Sequence, residues 1–284
     1  MRSDRMRRRV VAAAALLCAA AAPAHAQWRT VTSARQLQGE RQANVQVDYG
    51  AGGLTVRPAA AGLLYRMQLR YDEERTRPLS SWDARTGVLR LGVQATHRNQ
   101  NTRRGGNAVV ELARGVPMDL KLAFGAGDAS LDLGGLSLRS LQLSTGASAT
   151  ELRVSTPNPV LAGTVALESG AARLHASGLG NLGAERITLE GGVGSSTLEF
   201  DGAWRRNAAV NVEMGMGAVT LRFPRDVGVR VTKDTFLTRF HSADLVKRGD
   251  AWYSRNWSAA RTRVTVDVSA ALGSVSVEWM DPRA

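Results

Sequence analysis

The chain has 284 residues, of which 37 are Lys or Arg and 25 are Asp or Glu, a formal charge of +12. With 44% of its residues apolar it is too hydrophobic for a disordered chain, and a folded core is required. Cys18 is the only cysteine, which excludes intrachain disulfides and clustered thiolate metal ligands.

Residues 1 to 26 read as a signal peptide. Arg2, Arg5, Arg7, Arg8 and Arg9 precede an apolar run from Val10 to Ala22, and Ala24-His25-Ala26 fits a small-x-small cleavage site. The run is shorter than the roughly 20 residues a spanning helix needs, so cleavage after Ala26 is expected rather than anchoring. Arg7-Arg8 loosely fits a twin-arginine signal, but the general export route is the simpler reading. Leu17 stands before Cys18 where a lipoprotein wants a small residue. Cleavage removes five Arg and one Asp, so the mature chain from Gln27 carries +8 and no cysteine. No later segment is apolar enough to span a bilayer, and a periplasmic or secreted location is expected.

Residues 27–107 read as an N-terminal β region. Val45-Gln46-Val47-Asp48-Tyr49 and Leu54-Thr55-Val56 alternate on either side of Gly50, Gly52 and Gly53, and Leu64 to Tyr71 alternates as a further strand. Asp72 to Ser81 reads as a charged turn and Gly87 to Val93 as another strand. His97 to Asn107, with Arg103-Arg104-Gly105-Gly106, reads as an exposed loop and marks a soft domain boundary. Across residues 108–284 a unit of two short alternating runs about a glycine turn begins at Leu120, Leu141, Val165, Ile187, Val210 and Val264. The unit at Val45 makes seven, and successive spacings of 21, 24, 22 and 23 residues from Leu120 to Val210 set a period of about 22.

Within one unit Val210, Val212 and Met214 share a face and Asn211 and Glu213 take the other. Beyond Gly215 and Gly217, the residues Val219, Leu221 and Phe223 repeat the alternation before Pro224 ends it. No such unit buries its apolar side alone, so stacking at the inter-strand distance of about 4.8 Å favours a β-solenoid. An antiparallel meander of hairpins is the competing geometry, because a Gly-rich connection suits either. Val227 to Arg261 interrupts the beat with Phe236, Phe240, Trp252, Tyr253 and Trp257, and suits an end cap.

Tyr49-Gly50-Ala51-Gly52-Gly53-Leu54-Thr55-Val56 followed by Leu64-Tyr65-Arg66-Met67-Gln68-Leu69-Arg70-Tyr71 resembles the N-terminal part of the toast-rack family of bacterial exported proteins. Val212-Glu213-Met214-Gly215-Met216-Gly217-Ala218-Val219-Thr220-Leu221 with Pro224 resembles the C-terminal domain of LiaF-type cell-envelope stress proteins and related adhesin families. The resemblance implies a β-solenoid and an envelope context, and it supplies no catalytic residue. A cleavable leader in place of several membrane helices departs from the LiaF-type pattern and argues against a membrane-embedded sensor.

Aligned copies place Asp48, Ala123, Ser144, Glu168, Glu190, Glu213 and Asp267 at one outward position, so Glu168, Glu190 and Glu213 are expected to stack in a column. Like charges at that spacing repel, and a cation such as Ca²⁺ or a sugar-cleaving acid and base pair would use them. The plainer reading is an outward polar position balanced by Arg153, Arg173 or Arg222. His97, His175 and His241 are too scattered for a ligand spacing. Ser144, Ser169, Ser195 and Ser196 lie by glycine turns without a nucleophile elbow, and no lysine or helix start follows Gly215-Met216-Gly217 to cradle a phosphate.

The expected protein is all-β, a β-helix-like solenoid of about seven short glycine-turn repeats with an N-terminal strand insertion and an aromatic C-terminal region. Its expected role is that of an exported, non-enzymatic adhesin-like, scaffold or envelope-stress module, meeting a protein, glycan or lipid of the envelope through a flat face without a deep pocket. No catalytic residue, cofactor or metal is assigned, and no nucleic-acid partner is expected. The alternative is a glycan-active β-helix enzyme, a polysaccharide lyase or hydrolase, for which Glu168, Glu190 and Glu213 beside a long cleft would be the sign. A lipid-surface binder is a third reading.

Overall fold

The computed structural model of the protein describes residues 28–95, 105–242 and 244–281. The leader with its cleavage site, His97 and the Arg103-Arg104 pair lie outside the described residues. The described chain is built almost wholly of strands joined in one sheet. Its body consists of long bent strands: β2 (Ala43–Pro58), β7 (Pro117–Asp132), β8 (Ser137–Arg153), β9 (Thr164–Ser177), β10 (Arg186–Glu199), β11 (Ala208–Pro224), β12 (Gly228–Ser242) and β15 (Arg263–Met280). They pair side by side in the order β2-β7-β8-β9-β10-β11-β15-β12, every pair parallel. Parallel pairing decides against the hairpin meander, because each glycine turn lies inside a strand and bends it instead of folding it back on itself.

One column shows why the sequence takes this form. Val45, Leu120, Leu141, Val165, Ile187, Val210, Val266 and Val231 stand in register across all eight strands, and none is more than 2% exposed. Each strand's apolar face is thus closed by the faces stacked on either side of it, where a single unit would leave it in water. Aliphatic residues at alternate positions give every rung the same inward set, and Asn158 and Asn181 tie the return loops together beneath them.

The column also corrects the alignment of the last copy. Val266, not Val264, stands opposite Val210, a slip of two residues. The segment from Val227 is not only a cap, since Gly228–Ser242 is an eighth bent strand. β15, last in sequence, lies between β11 and β12 and pairs in parallel with both. The short strands β13 (Leu245–Arg248) and β14 (Ala251–Ser254) close half of that end, where Trp252 packs on Phe240 at 5.1 Å between ring centres.

Antiparallel strands close the other end. β5 (Val88–Ala95) pairs with the first half of β2 and β6 (Gly106–Leu112) with its second half, so the two together form a split rung. β3 (Leu63–Asp72) and β1 (Trp28–Gln36) extend β6, and β4 (Thr76–Asp83) covers β5. The expected charged turn through Ser81 is therefore shorter, because Thr76 already opens β4. Among the described residues no helix is long and apolar enough to cross a membrane.

Candidate functional site

The bend in each rung creates the site. In β11 the buried residues are Ala208, Val210, Val212 and Met214 before the bend and Val219, Leu221 and Phe223 after it. Val219 lies five positions after Met214, an odd step that a flat pleat of period two cannot make, so the backbone rolls over at the bend. Gly217 makes that turn at a φ of 141°, where a Cβ would overlap the carbonyl oxygen of Gly194 on the neighbouring rung.

Two residues earlier lies a second glycine column: Gly50, Gly125, Gly146, Gly170, Gly192 and Gly215. A Cβ on Gly192 would sit 2.7 Å from the Gly170 carbonyl oxygen, and one on Gly215 would sit 2.8 Å from that of Gly192. At Gly125, Gly146, Gly192 and Gly215 the neighbouring rung's carbonyl leaves no room for a side chain, whereas Ala271 and Phe236 continue the column beyond Gly215. The result is a groove of about 1140 Å³ running across the rungs, lined from β2 to β11 by an outward residue, its successor and the glycine, then by Ser269, Ala270 and Ala271 on β15 and by Asp234 and Phe236 on β12. Val93 lies at one end and Phe236, on β12 beyond Ala271, at the other. This groove is open and shallow, a strip on the face where most rungs carry glycine.

The outward column follows the sequence reading with one correction. Asp48, Ala123, Ser144, Glu168, Glu190 and Glu213 are in register, but Ser269 and then Asp234 continue the column. Asp267 stands two residues earlier, opposite Asn211, and accepts a hydrogen bond from the Thr232 hydroxyl. Glu168 accepts hydrogen bonds from Ser144 Oγ at 2.5 Å and Gln142 Nε2 at 3.4 Å. None of Arg153, Arg173 and Arg222 forms an ion pair with the column. Arg222 instead bridges Glu199 and Glu278, each at 2.9 Å, and the hydrogen bonds it donates to Glu278 and then to Glu199 raise its pKa.

Among the described residues no three His, Cys, Asp or Glu side chains converge closely enough to hold a metal ion. The carboxylates lie along a line one rung apart, whereas a metal centre needs ligands closing on a point. His175 lies 3.4 Å from Glu199, and His241 is four rungs away on the same outward column, so the histidines do not meet. Ser169 lines the groove, whereas Ser195 and Ser196 do not. Tyr49, stacked on Phe124 at 6.3 Å, lies toward the β5 end of the groove, and burial pushes its pKa up to about 12.

Sequence reasoning missed the asparagines of the return loops and the continuous floor. Asn158 Oδ1 accepts from Leu138 N–H at 2.8 Å while its Nδ2 donates to Leu138 O at 2.7 Å, and Asn181 Nδ2 donates to Val154 O at 2.8 Å. The glycines of the floor were all visible, yet only as turns within units.

Residues 24–175 match a family model described as the N-terminal domain of toast_rack, DUF2154. A solved structure of a putative cell adhesion protein from Clostridium sporogenes aligns at 14% identity and a TM-score of 0.47, covering 89% of this chain and 100% of that one. A putative adhesin from Bacteroides fragilis aligns at 12% identity and a TM-score of 0.42, covering 88% and 97%. A putative lipid binding protein from Parabacteroides distasonis aligns at 7% identity and a TM-score of 0.32, covering 88% and 96%. No curated protein matches the chain.

Proposed function

Because the chain belongs to the family defined by the toast_rack N-terminal domain, we propose that it is an exported, non-enzymatic, adhesin-like protein of the cell envelope that meets its partner along the groove. The observation that carries this reading is the one-sided chemistry of the groove. Its carboxylates stand in a single file along the rungs, with glycine beside them, and among the described residues no second file faces them. Glycoside hydrolysis wants an acid and a base flanking the scissile bond, whereas a repeating file suits contact with an extended surface. The leader directs the chain out of the cytoplasm in this reading, and cleavage after Ala26 frees it from the membrane.

Fractionation of cells carrying the tagged full chain tests it. The mature protein should begin at Gln27, leave the cytoplasm and be retained by washed envelope fragments. Cytoplasmic residence, or no retention on envelope, rejects the proposal. So does release of new polysaccharide ends by the wild type and not by Glu190→Gln, which would establish the glycan-active enzyme instead.

A further inference from the structure

Most of the large apolar side chains exposed among the described residues stand together. Of the eight, Val193, Met216, Leu272, Leu237 and Phe236 form one patch and are between 41% and 80% exposed. The first four hold the same position on adjacent rungs, the residue just past the groove floor: Val193 is in register with Met216, Met216 with Leu272 and Leu272 with Leu237. Phe236 precedes Leu237 and closes the groove. On β2, β7, β8 and β9 that position carries only Ala51, Ala126, Ala147 and Ala171. A ridge about 14 Å long, three rung spacings, therefore rises over β10, β11, β15 and β12 alone. Apolar side chains of this size left in water as one strip mark a contact surface.

The ridge and the groove beside it are complementary to each other. Next to the ridge the floor carries Gly192, Gly215 and Ala271 before it ends at Phe236. A second copy, turned by a two-fold axis that runs along the stack of rungs, has its strand direction reversed and its rung order kept. Its ridge then enters the groove of the first copy, Val193 over Gly192, Met216 over Gly215 and Leu272 over Ala271, with Leu237 against Phe236, and the first ridge enters the second groove in return. The flanks agree in charge. Glu168 and Asp234 lie three residues before the ridge position, and the exposed Arg173 on β9 and Arg239 on β12 lie two after it. Neither arginine has an ion-pair partner among the described residues. The same two-fold turns Glu168 of one copy toward Arg173 of the other, and Asp234 toward Arg239. An axis along the strands would instead set the two carboxylate files against each other, which like charges oppose.

We infer that two copies of the chain pair side by side and in parallel, the ridge of each lodged in the groove of the other over β10, β11, β15 and β12. Burial of the ridge drives the pairing, and the charged flanks select the parallel arrangement over the antiparallel one. The contact leaves the outer edge of β12 free, so it is not the addition of a further strand. From β2 to β8 the ridge falls to alanine and inserts nothing. Both grooves therefore stay open there, next to each other at the same end of the pair, and whatever they meet is met twice. The pairing itself does not depend on what that partner is.

Sedimentation equilibrium on the purified full chain tests it, with a dimer expected. Met216→Glu with Leu272→Glu, both at exposed positions, should weaken association tenfold or more while circular dichroism shows the variant folded. Asp234→Arg and Arg239→Asp should each weaken it, and the two together should restore it, because the pair is then reversed across the contact. Val193→Cys and Leu272→Cys, made singly in a Cys18→Ser chain, should each join to the same position of a second copy under a short bifunctional maleimide. A chain that stays monomeric at every concentration overturns the inference. So does association that the ridge variant leaves unchanged, or Val193→Cys joining to Leu272→Cys and not to itself, the mark of an antiparallel pair. Binding of a monomeric chain to anionic lipid vesicles that is lost in the ridge variant also overturns it, with a lipid surface as the occupant.

Discussion

Tyr49 shows what burial does to a single titrating residue. Its ring is 4% exposed and stacked on Phe124, so the phenolate is disfavoured in the fold and the pKa is pushed up to about 12. An unfolded tyrosine ionises near 10, so the stabilisation is complete below that pH and is lost as pH rises from there through about 12. Two units correspond to about 2 to 3 kcal/mol. Tyr49→Phe should therefore leave the urea midpoint at pH 7 nearly unchanged and flatten its decline across that alkaline window. A variant that declines in parallel with the wild type would contradict this. Arg222 makes a different case, because Glu199 is 7% exposed and depends on its guanidinium. Arg222→Ala should cost about 2 kcal/mol in denaturant unfolding, the usual contribution of a hydrogen bond to a buried charge.

The elements are held by backbone constraints repeated rung by rung. On the groove floor a Cβ at Gly125 would overlap the Gly50 carbonyl oxygen, and neither group is a flexible side chain that can move aside. Gly125→Ala should therefore destabilise the protein by about 2 to 4 kcal/mol, well beyond the effect of an added methyl in open space. The return loops are held by side chains. Asn158 is 2% exposed and serves both the N–H and the carbonyl of Leu138. Asn158→Leu keeps the branched outline, with bulkier methyl ends, but strands those groups, and should cost about 3 kcal/mol, measured by the same unfolding. A loss below about 1 kcal/mol would mean that water replaces the amide.

At the scale of the whole molecule the two ends of the rod are closed unequally. On β12 the strand β14 covers Arg230 to Thr232 alone, and among the described residues no strand lies against the outer edge of Lys233 to Ser242. Lys233 stands in the inward column of Leu189, Val212 and Val268 and places its ammonium 5.4 Å from Trp252 and 5.6 Å from Phe240. An inward-pointing charge on an edge strand penalises addition of a further rung. Lys233→Val should raise the tendency of the rods to associate end to end, read as a larger association constant than wild type in sedimentation equilibrium. Equal constants would show that the lysine does not guard the edge.

Alternation and the glycine beat by themselves determined that the chain would form short coils, which residues face inward, and that Glu168, Glu190 and Glu213 would share a column. These are local properties, written in every unit. Neighbour and depth were not legible. A slip of one residue would have turned the face of β15 outward, but a slip of two keeps the same face, so nothing in the pattern distinguished Val264 from Val266. The eighth coil was hidden because Phe236 and Thr238 replace the glycines of its bend, leaving only Val227, Val229 and Val231 as a signal. The insertion of β15 between β11 and β12, and the groove itself, were decided by the tertiary structure. Both depend on how rungs distant in sequence settle against one another, with backbone bends meeting across a gap of one strand.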